Sequence, residues 1–324
     1  MELTIAIAAI IGGFVVLLWG ADRFVYGAAA TARNLGVSTL VIGLTIVAFG
    51  TSAPEILVSI MAAINGNPGI AVGNGIGSNI ANIGLVLGVT ALVLPLMVHS
   101  QLLKREFPIL LGLMFFGAFL ILDNELGRLD GILLLSALFI LTGWLIYKGM
   151  NQPKLDEVAI DYEIEIARIS TTKALLWTLV GLILLLVSSR ILIYGAVSIA
   201  KMLGISDLII GLTIIAIGTS LPELATSIVS ALKKETDIAI GNILGSNMFN
   251  LLAVLGIPAV ISPIMLDSYV LYRDYLSMLI LSIMLFIFAY GFRGRGCISR
   301  VEGGLLLTGY ISYMVVIYFN IQQG

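Results

Sequence analysis

Along this chain apolar residues do not alternate with polar ones; they run on. Stretches free of Asp, Glu, Lys and Arg cover 3–21, 107–122, 131–147, 174–189, 275–292 and 303–319, each at or near the ~20 residues a helix needs to cross a bilayer. Between Arg33 and Lys104 the only such charge is Glu55. A stretch that long must fold back, most simply at the turn-forming Asn65, Gly66, Asn67, Pro68 and Gly69. Residues 208–232 hold only Glu223, and 238–266 hold no charge. The pattern predicts ten spans, roughly 3–33, 38–64, 70–94, 107–122, 130–148, 173–202, 207–232, 238–264, 274–292 and 302–320. Continuous apolarity fits helices, because a barrel strand alternates lipid-facing and lumen-facing residues. The fold class expected is an all-α integral membrane protein with ten transmembrane helices. The first run has no positively charged leader and continues into Trp19, Gly20, Ala21 and Asp22, so it counts as a span and not as a cleaved signal.

Composition points the same way. Of 324 residues, 59% are hydrophobic and 11% charged, with a mean hydropathy of +1.10, whereas soluble domains carry about one quarter charged residues. The net charge of −2 says little, but its positive part is lopsided. Ten spans leave Arg33, Lys104, Arg105, Lys148, Lys154, Arg168, Lys173, Lys233, Lys234, Arg293, Arg295 and Arg300 on one side, and only Arg128, Lys201 and Arg273 on the other. Twelve against three puts the first side in the cytoplasm and both termini outside. The single cysteine, Cys297, has no partner for an internal disulfide, and the single histidine, His99, rules out a histidine metal cluster.

Set with residue 36 against residue 204, the chain overlays itself without a gap. Residues 36–60 and 204–228 share 16 of 25 positions, and residues 70–88 and 238–256 share 11 of 19. The repeats, about 36–88 and 204–256, sit in the second and third spans of each half. The halves are 1–150 and 173–324, joined by an acidic linker, 151–172. Its carboxylates Asp156, Glu157, Asp161, Glu163 and Glu165 lack EF-hand spacing and are expected to be a solvated cytoplasmic connection. Five spans per half is an odd number, so the second half enters the membrane in the opposite sense. The result is two inverted five-helix repeats, an arrangement that places substrate near the midplane in secondary transporters.

The repeats read GTSAPE at 50–55 and GTSLPE at 218–223. A carboxylate at mid-membrane costs about 2.5–3.5 kcal/mol on an insertion scale, so Glu55 and Glu223 are functional candidates by default. Thr51 and Ser52 stand four and three residues before Glu55, as Thr219 and Ser220 do before Glu223, a spacing that puts hydroxyls on the acid's face of a helix. Pro54 and Pro222 lack an N–H and leave the Gly50 and Gly218 carbonyls without their helical donors, which favours a break. In the next span Asn74, Ser78 and Asn82, and likewise Asn242, Ser246 and Asn250, form a polar edge at intervals of four. Gly73 and Gly77, with Gly241 and Gly245, are small-residue patterns expected to let helices pack closely. Oxygen donors without thiol or imidazole suit hard cations, and flexible multidentate coordination favours Ca²⁺ over Mg²⁺. Two glutamates neutralise one divalent ion or two monovalent ones. An empty site leaves both charges exposed in low dielectric and resists switching sides, which couples the two flows.

These motifs closely resemble the α-repeats of the sodium/calcium exchanger branch of the cation/calcium exchanger superfamily, particularly its prokaryotic members. The resemblance implies a secondary antiporter of the prokaryotic cytoplasmic (inner) membrane that exchanges Ca²⁺ for Na⁺ by alternating access. By matching positions, its ion site would use Glu55, Thr51, Ser52, Ser78, Asn82 and the Ala48 carbonyl from the first repeat. From the second it would use Glu223, Thr219, Ser220, Ser246, Asn250 and the Ala216 carbonyl. Proton/calcium exchangers of the superfamily carry a GNAxE-type sequence where this chain has GTSAPE and GTSLPE, which favours sodium. Some prokaryotic exchangers and the potassium-dependent ones carry Asp at the position of Asn250; with Asn82 both equivalent positions are neutral here, a departure that weighs against potassium co-transport. The spans 3–33 and 173–202 resemble the long helices that slide over the core, with Asp22 and Arg190 at equivalent places and expected in surface or interfacial roles, not as ligands. The alternative is a proton/calcium antiporter on the same glutamates. A cation channel fits less well, because channels usually build ring-like filters from symmetric oligomers. No enzymatic constellation is present. No cofactor and no nucleic-acid partner are expected, and a monomer is expected to suffice.

Overall fold

The computed structural model describes residues 2–98, 102–151, 169–204, 216–267, 269–290 and 296–323. His99, Arg168, Arg293, Arg295, nearly all of the acidic linker and residues 207–215 of the predicted seventh span lie outside the described residues. In chain order the helices are α1 Glu2–Leu35, α2 Thr39–Thr51, α3 Ala53–Ile64, α4 Gly69–Val93 and α5 Phe107–Leu120. They continue as α6 Arg128–Asn151, α7 Thr171–Met202, α8 Ala216–Thr219, α9 Leu221–Leu232, α10 Thr236–Ile261, α11 Val270–Tyr290 and α12 Arg300–Gln323. Seven of them, α1, α4, α6, α7, α10, α11 and α12, are long and apolar enough to cross a membrane; α2 with α3, bent by 44°, makes an eighth if the pair is one span. Of the ten predicted spans, 107–122 appears as the 14-residue α5, and 207–232 is described only from Ala216 onward.

Two compact units divide the chain, and each draws on both sequence halves. The first holds Met1–Thr51 and Leu141–Asn242, the second Ser52–Ile140 and Ile243–Gly324.

The first unit is built on α1 against α7. Gly13, Gly20 and Gly27 recur at every seventh position of α1, and their repeat equivalents are Gly181, Ser188 and Gly195 of α7. A Cβ on Gly27 would fall 2.4 Å from the Thr178 nitrogen, and one on Gly181 2.3 Å from the Phe24 nitrogen. The two main chains therefore nearly touch, as small residues allow. Around this seam Leu17, Phe24, Val25, Leu185, Val229 and Ile238 form the core. Asp22, expected at a surface or an interface, is partly exposed, and its Oδ1 lies 2.7 Å from Lys233 Nζ. Arg190 is exposed.

In the second unit two short antiparallel ladders tie the halves together. β1 (Leu96–Met97) pairs with β4 (Cys297–Ile298), and β2 (Glu125–Leu126) with β3 (Ile264–Met265). β1 and β3 occupy equivalent places in the two repeats, and each ladder joins a strand of one half to a strand of the other. Tyr275 donates to the Met114 carbonyl at 2.7 Å and closes α11 onto α5. Gly73 and Gly77, expected to let helices close up, do not: no atom lies within 4 Å of a Cβ built on either. They line a cavity of about 170 Å³ with Gly69, Asp274 and Tyr313. A small residue shortens an interhelical distance only where a neighbouring main chain is positioned to approach it. That holds in the first unit for Gly241, the repeat counterpart of Gly73, where an added Cβ would fall 3.2 Å from the Gly43 Cα.

Candidate cation-binding site

Both hexapeptides fold the same way. Thr51 ends α2, Ser52 stands at φ −81°, ψ 1°, and Ala53, Pro54 and Glu55 open α3. Thr219 ends α8, Ser220 stands at φ −87°, ψ 4°, and Leu221, Pro222 and Glu223 open α9. Both serines lie in the bridge region of backbone conformation, where chains turn and many site residues sit. Proline in the second helical position forfeits only an N–H that would be orphaned anyway. The spacing that would have put the hydroxyls and the acid on one face of a continuous helix therefore does not apply, because the helix stops at the serine. In its place each glutamate sits in the first turn of a new helix, where the positive end of the macrodipole favours a carboxylate. That offsets part of the cost of burial, which is severe here: Glu55 and Glu223 are each 1% exposed.

The twelve residues named from sequence divide evenly between the units. The first unit holds Ala48, Thr51, Ala216, Thr219, Ser220 and Glu223; the second holds Ser52, Glu55, Ser78, Asn82, Ser246 and Asn250. The ten with functional side chains are all buried.

In the first unit α9 packs on the end of α2. Thr51 donates to Asn242 Oδ1 at 3.0 Å and lies 3.3 Å from the Ala48 carbonyl. Asn242 Nδ2 donates in turn to Ser227 Oγ at 3.3 Å. The Gly218 carbonyl, left without its helical donor by Pro222, accepts the Ser189 hydroxyl of α7 at 2.7 Å. A buried carbonyl that loses its helical donor takes the nearest hydroxyl. The equivalent of Ser189 in the first half is Ala21, which has no hydroxyl to give. Ser189→Ala is therefore expected to cost about 1–2 kcal/mol of stability, read as a lower midpoint in thermal unfolding of the detergent-solubilised protein; an unchanged midpoint would mean that this bond contributes nothing.

In the second unit α3 packs on α4 and on the turn at Asn250–Val254. Asn74 Nδ2 donates to the Glu55 main-chain oxygen and to Ser59 Oγ, both at 2.9 Å, so this member of the polar edge braces the acid's backbone. Asn82 and Asn250 each open a π-helical turn, Asn82–Leu87 and Asn250–Val254, a local widening common at functional sites. Asn82 Nδ2 donates to Asn247 Oδ1 at 3.2 Å. That leaves Asn82 Oδ1, both amide atoms of Asn250 and Ser52 Oγ buried without a hydrogen-bond partner among the described residues; Ser220 Oγ of the first unit is in the same condition. Buried polar atoms are rarely left so, and neutral oxygens of this kind are what a hard cation takes up.

Ser59 and Ser227, Asn79 and Asn247, and Ser189 were not named as candidate site residues from the sequence. The first two pairs are identical residues at equivalent repeat positions, so the repeat itself carried their signal; Ser189 had none. Among the described residues no three of His, Cys, Asp and Glu are grouped to hold a metal. The Cys297 thiol is pushed up by burial and then by the charge of Glu302, away from a reactive thiolate.

Comparison with known proteins places these features in context. The family described as "Sodium/calcium exchanger protein" matches residues 5–147 and 173–319. CaxA of Alkalimonas amylolytica is 46% identical over 97% of this chain and 99% of its own. The sodium/calcium exchanger MaX1 of Methanosarcina acetivorans is 31% identical over 98% of this chain and 99% of its own. A solved structure of the sodium-calcium exchanger NCX_Mj, soaked with zero Na⁺ and Ca²⁺, superposes with a TM-score of 0.84 at 33% identity, covering 97% of this chain and 99% of that one.

Proposed function

Because the chain belongs to the sodium/calcium exchanger family, a family of membrane transporters and not of enzymes, we propose that it exchanges Ca²⁺ for Na⁺ across a prokaryotic cytoplasmic membrane by alternating access. The observation that carries this reading is the matched pair of buried glutamates, each held in the first turn of a proline-opened helix. Glu55 and Glu223 are the charged ligands. Thr51, Ser52, Ser78, Asn82, Thr219, Ser220, Ser246 and Asn250, with the Ala48 and Ala216 carbonyls, supply neutral oxygen. The orphaned oxygens of Ser52, Asn82, Ser220 and Asn250 support that assignment.

The coupling follows from charge. Two carboxylates bind one Ca²⁺ or a set of Na⁺ ions, and the site without a cation, its two carboxylates held in low dielectric, is too costly to carry across. More than two Na⁺ per Ca²⁺ makes the cycle electrogenic. The two halves, 1–150 and 173–324, are inverted five-span repeats in this reading, with both termini outside, the 151–172 linker cytoplasmic and one chain sufficient for transport. The ladders of the second unit, in which the repeat-equivalent strands β1 and β3 each pair with a strand of the other half, are consistent with such a pseudo-symmetric plan.

Proteoliposomes loaded with Na⁺ and diluted into Na⁺-free medium containing ⁴⁵Ca²⁺ are expected to accumulate calcium, and to lose that uptake when the sodium gradient is collapsed. Uptake driven by a proton gradient and indifferent to sodium would replace the counter-ion.

A further inference from the structure

A hydroxyl binds a cation through a lone pair, so its hydrogen must be held elsewhere. For Thr51 that hydrogen points to Asn242 Oδ1 at 3.0 Å and, less closely, to the Ala48 carbonyl at 3.3 Å. Asn242 is fully buried, and its Nδ2 gives a hydrogen to Ser227 Oγ at 3.3 Å. One amide thus accepts from Thr51 and donates to Ser227, and all three side chains belong to the same compact unit.

We propose that Asn242, itself outside the candidate ligand set, is the positioning residue that makes Thr51 a cation ligand. Without the Asn242 oxygen, the Thr51 hydrogen turns to the Ala48 carbonyl. That carbonyl is a candidate ligand too, so one lost amide engages two oxygens of the site. An amide turned the other way is also harmful, since its N–H₂ would occupy a lone pair of Thr51 Oγ1; Ser227 helps to hold the favourable orientation. The counterpart of Asn242 in the other repeat, Asn74, braces the Glu55 backbone and Ser59 in the second unit. The first asparagine of each polar edge, Asn74 or Asn242, therefore works behind the ligands, while the last, Asn82 or Asn250, is a ligand candidate. The inference rests on the reading of Thr51 as a ligand.

The test is a double-mutant cycle on equilibrium ⁴⁵Ca²⁺ binding to the purified full-length protein. Asn242→Leu and Thr51→Val are each expected to raise half-saturation by about tenfold, and the double variant to bind no worse than the weaker single variant. Ser227→Ala, a milder change that guards against misfolding, is expected to raise half-saturation about threefold, and to have no effect once Thr51 is valine. Additive shifts in the double variants overturn the proposal, as does unchanged binding in both Asn242→Leu and Ser227→Ala. Unchanged binding in Thr51→Val alone removes the ligand reading beneath it. Because binding is measured and not flux, a counter-ion other than sodium leaves the cycle readable.

Discussion

Glu55→Gln and Glu223→Gln are each expected to reduce calcium exchange by roughly 100-fold or more, a loss of about 2.7 kcal/mol or greater in the stabilisation of bound cation, with no loss of folded protein. Glutamine keeps the size and one oxygen of glutamate and removes its charge. Each acid is 1% exposed and sits at a helix start that only partly offsets its desolvation. Removing the charge should therefore leave the thermal midpoint unchanged or raise it, while the site loses half its neutralising power toward a divalent ion. Activity and stability are expected to move apart. Initial rates of ⁴⁵Ca²⁺ uptake in proteoliposomes, paired with melting curves of the same preparations, check both halves. Wild-type exchange in both variants would remove the glutamates from the mechanism.

Gly181→Val is expected to be among the most damaging single changes to the fold, and Gly27→Val to behave alike. A Cβ at either position falls 2.3–2.4 Å from a main-chain nitrogen of the facing helix. Neither α1 nor α7 can relieve that by turning a side chain, so the helices must separate. Overpacking usually costs about 1–3 kcal/mol, and a contact that displaces main chain belongs at or above the upper end. Melting curves in detergent are expected to show a clear fall in midpoint or no folded peak. Gly73→Ala is the control: nothing lies within 4 Å of its Cβ, and alanine favours a helix by about 1 kcal/mol over glycine, so its midpoint should hold or rise. Equal effects at Gly73 and Gly181 would mean that the close seam is not what makes Gly181 special.

Much of this architecture was legible in the chain. Uninterrupted apolar runs announced membrane helices, and the constant offset between the two repeats located Glu55 and Glu223 as a pair, because identical motifs at one spacing are a stronger signal than either alone. The proline break was legible too, but not its consequence. Composition could not say that Gly218's carbonyl would find Ser189, since that contact depends on how α7 packs. The π-helical turns at Asn82 and Asn250 leave no mark in residue periodicity. Gly73 and Gly241 have the same local sequence pattern yet opposite surroundings, because packing depends on the partner helix and not on the glycine. The ten-span count is an inference from the sequence; the described residues supply seven spans, or eight with the bent pair.

The most direct test is competition at equilibrium. Purified protein is titrated with ⁴⁵Ca²⁺ at increasing Na⁺ and constant ionic strength, alongside Glu55→Gln and Glu223→Gln. Two carboxylates that serve both ions in turn predict that Na⁺ displaces Ca²⁺ completely, with more than one Na⁺ per Ca²⁺, and that either variant loses the binding. Calcium that stays bound at saturating Na⁺, or binds both variants as it binds the wild type, would contradict it.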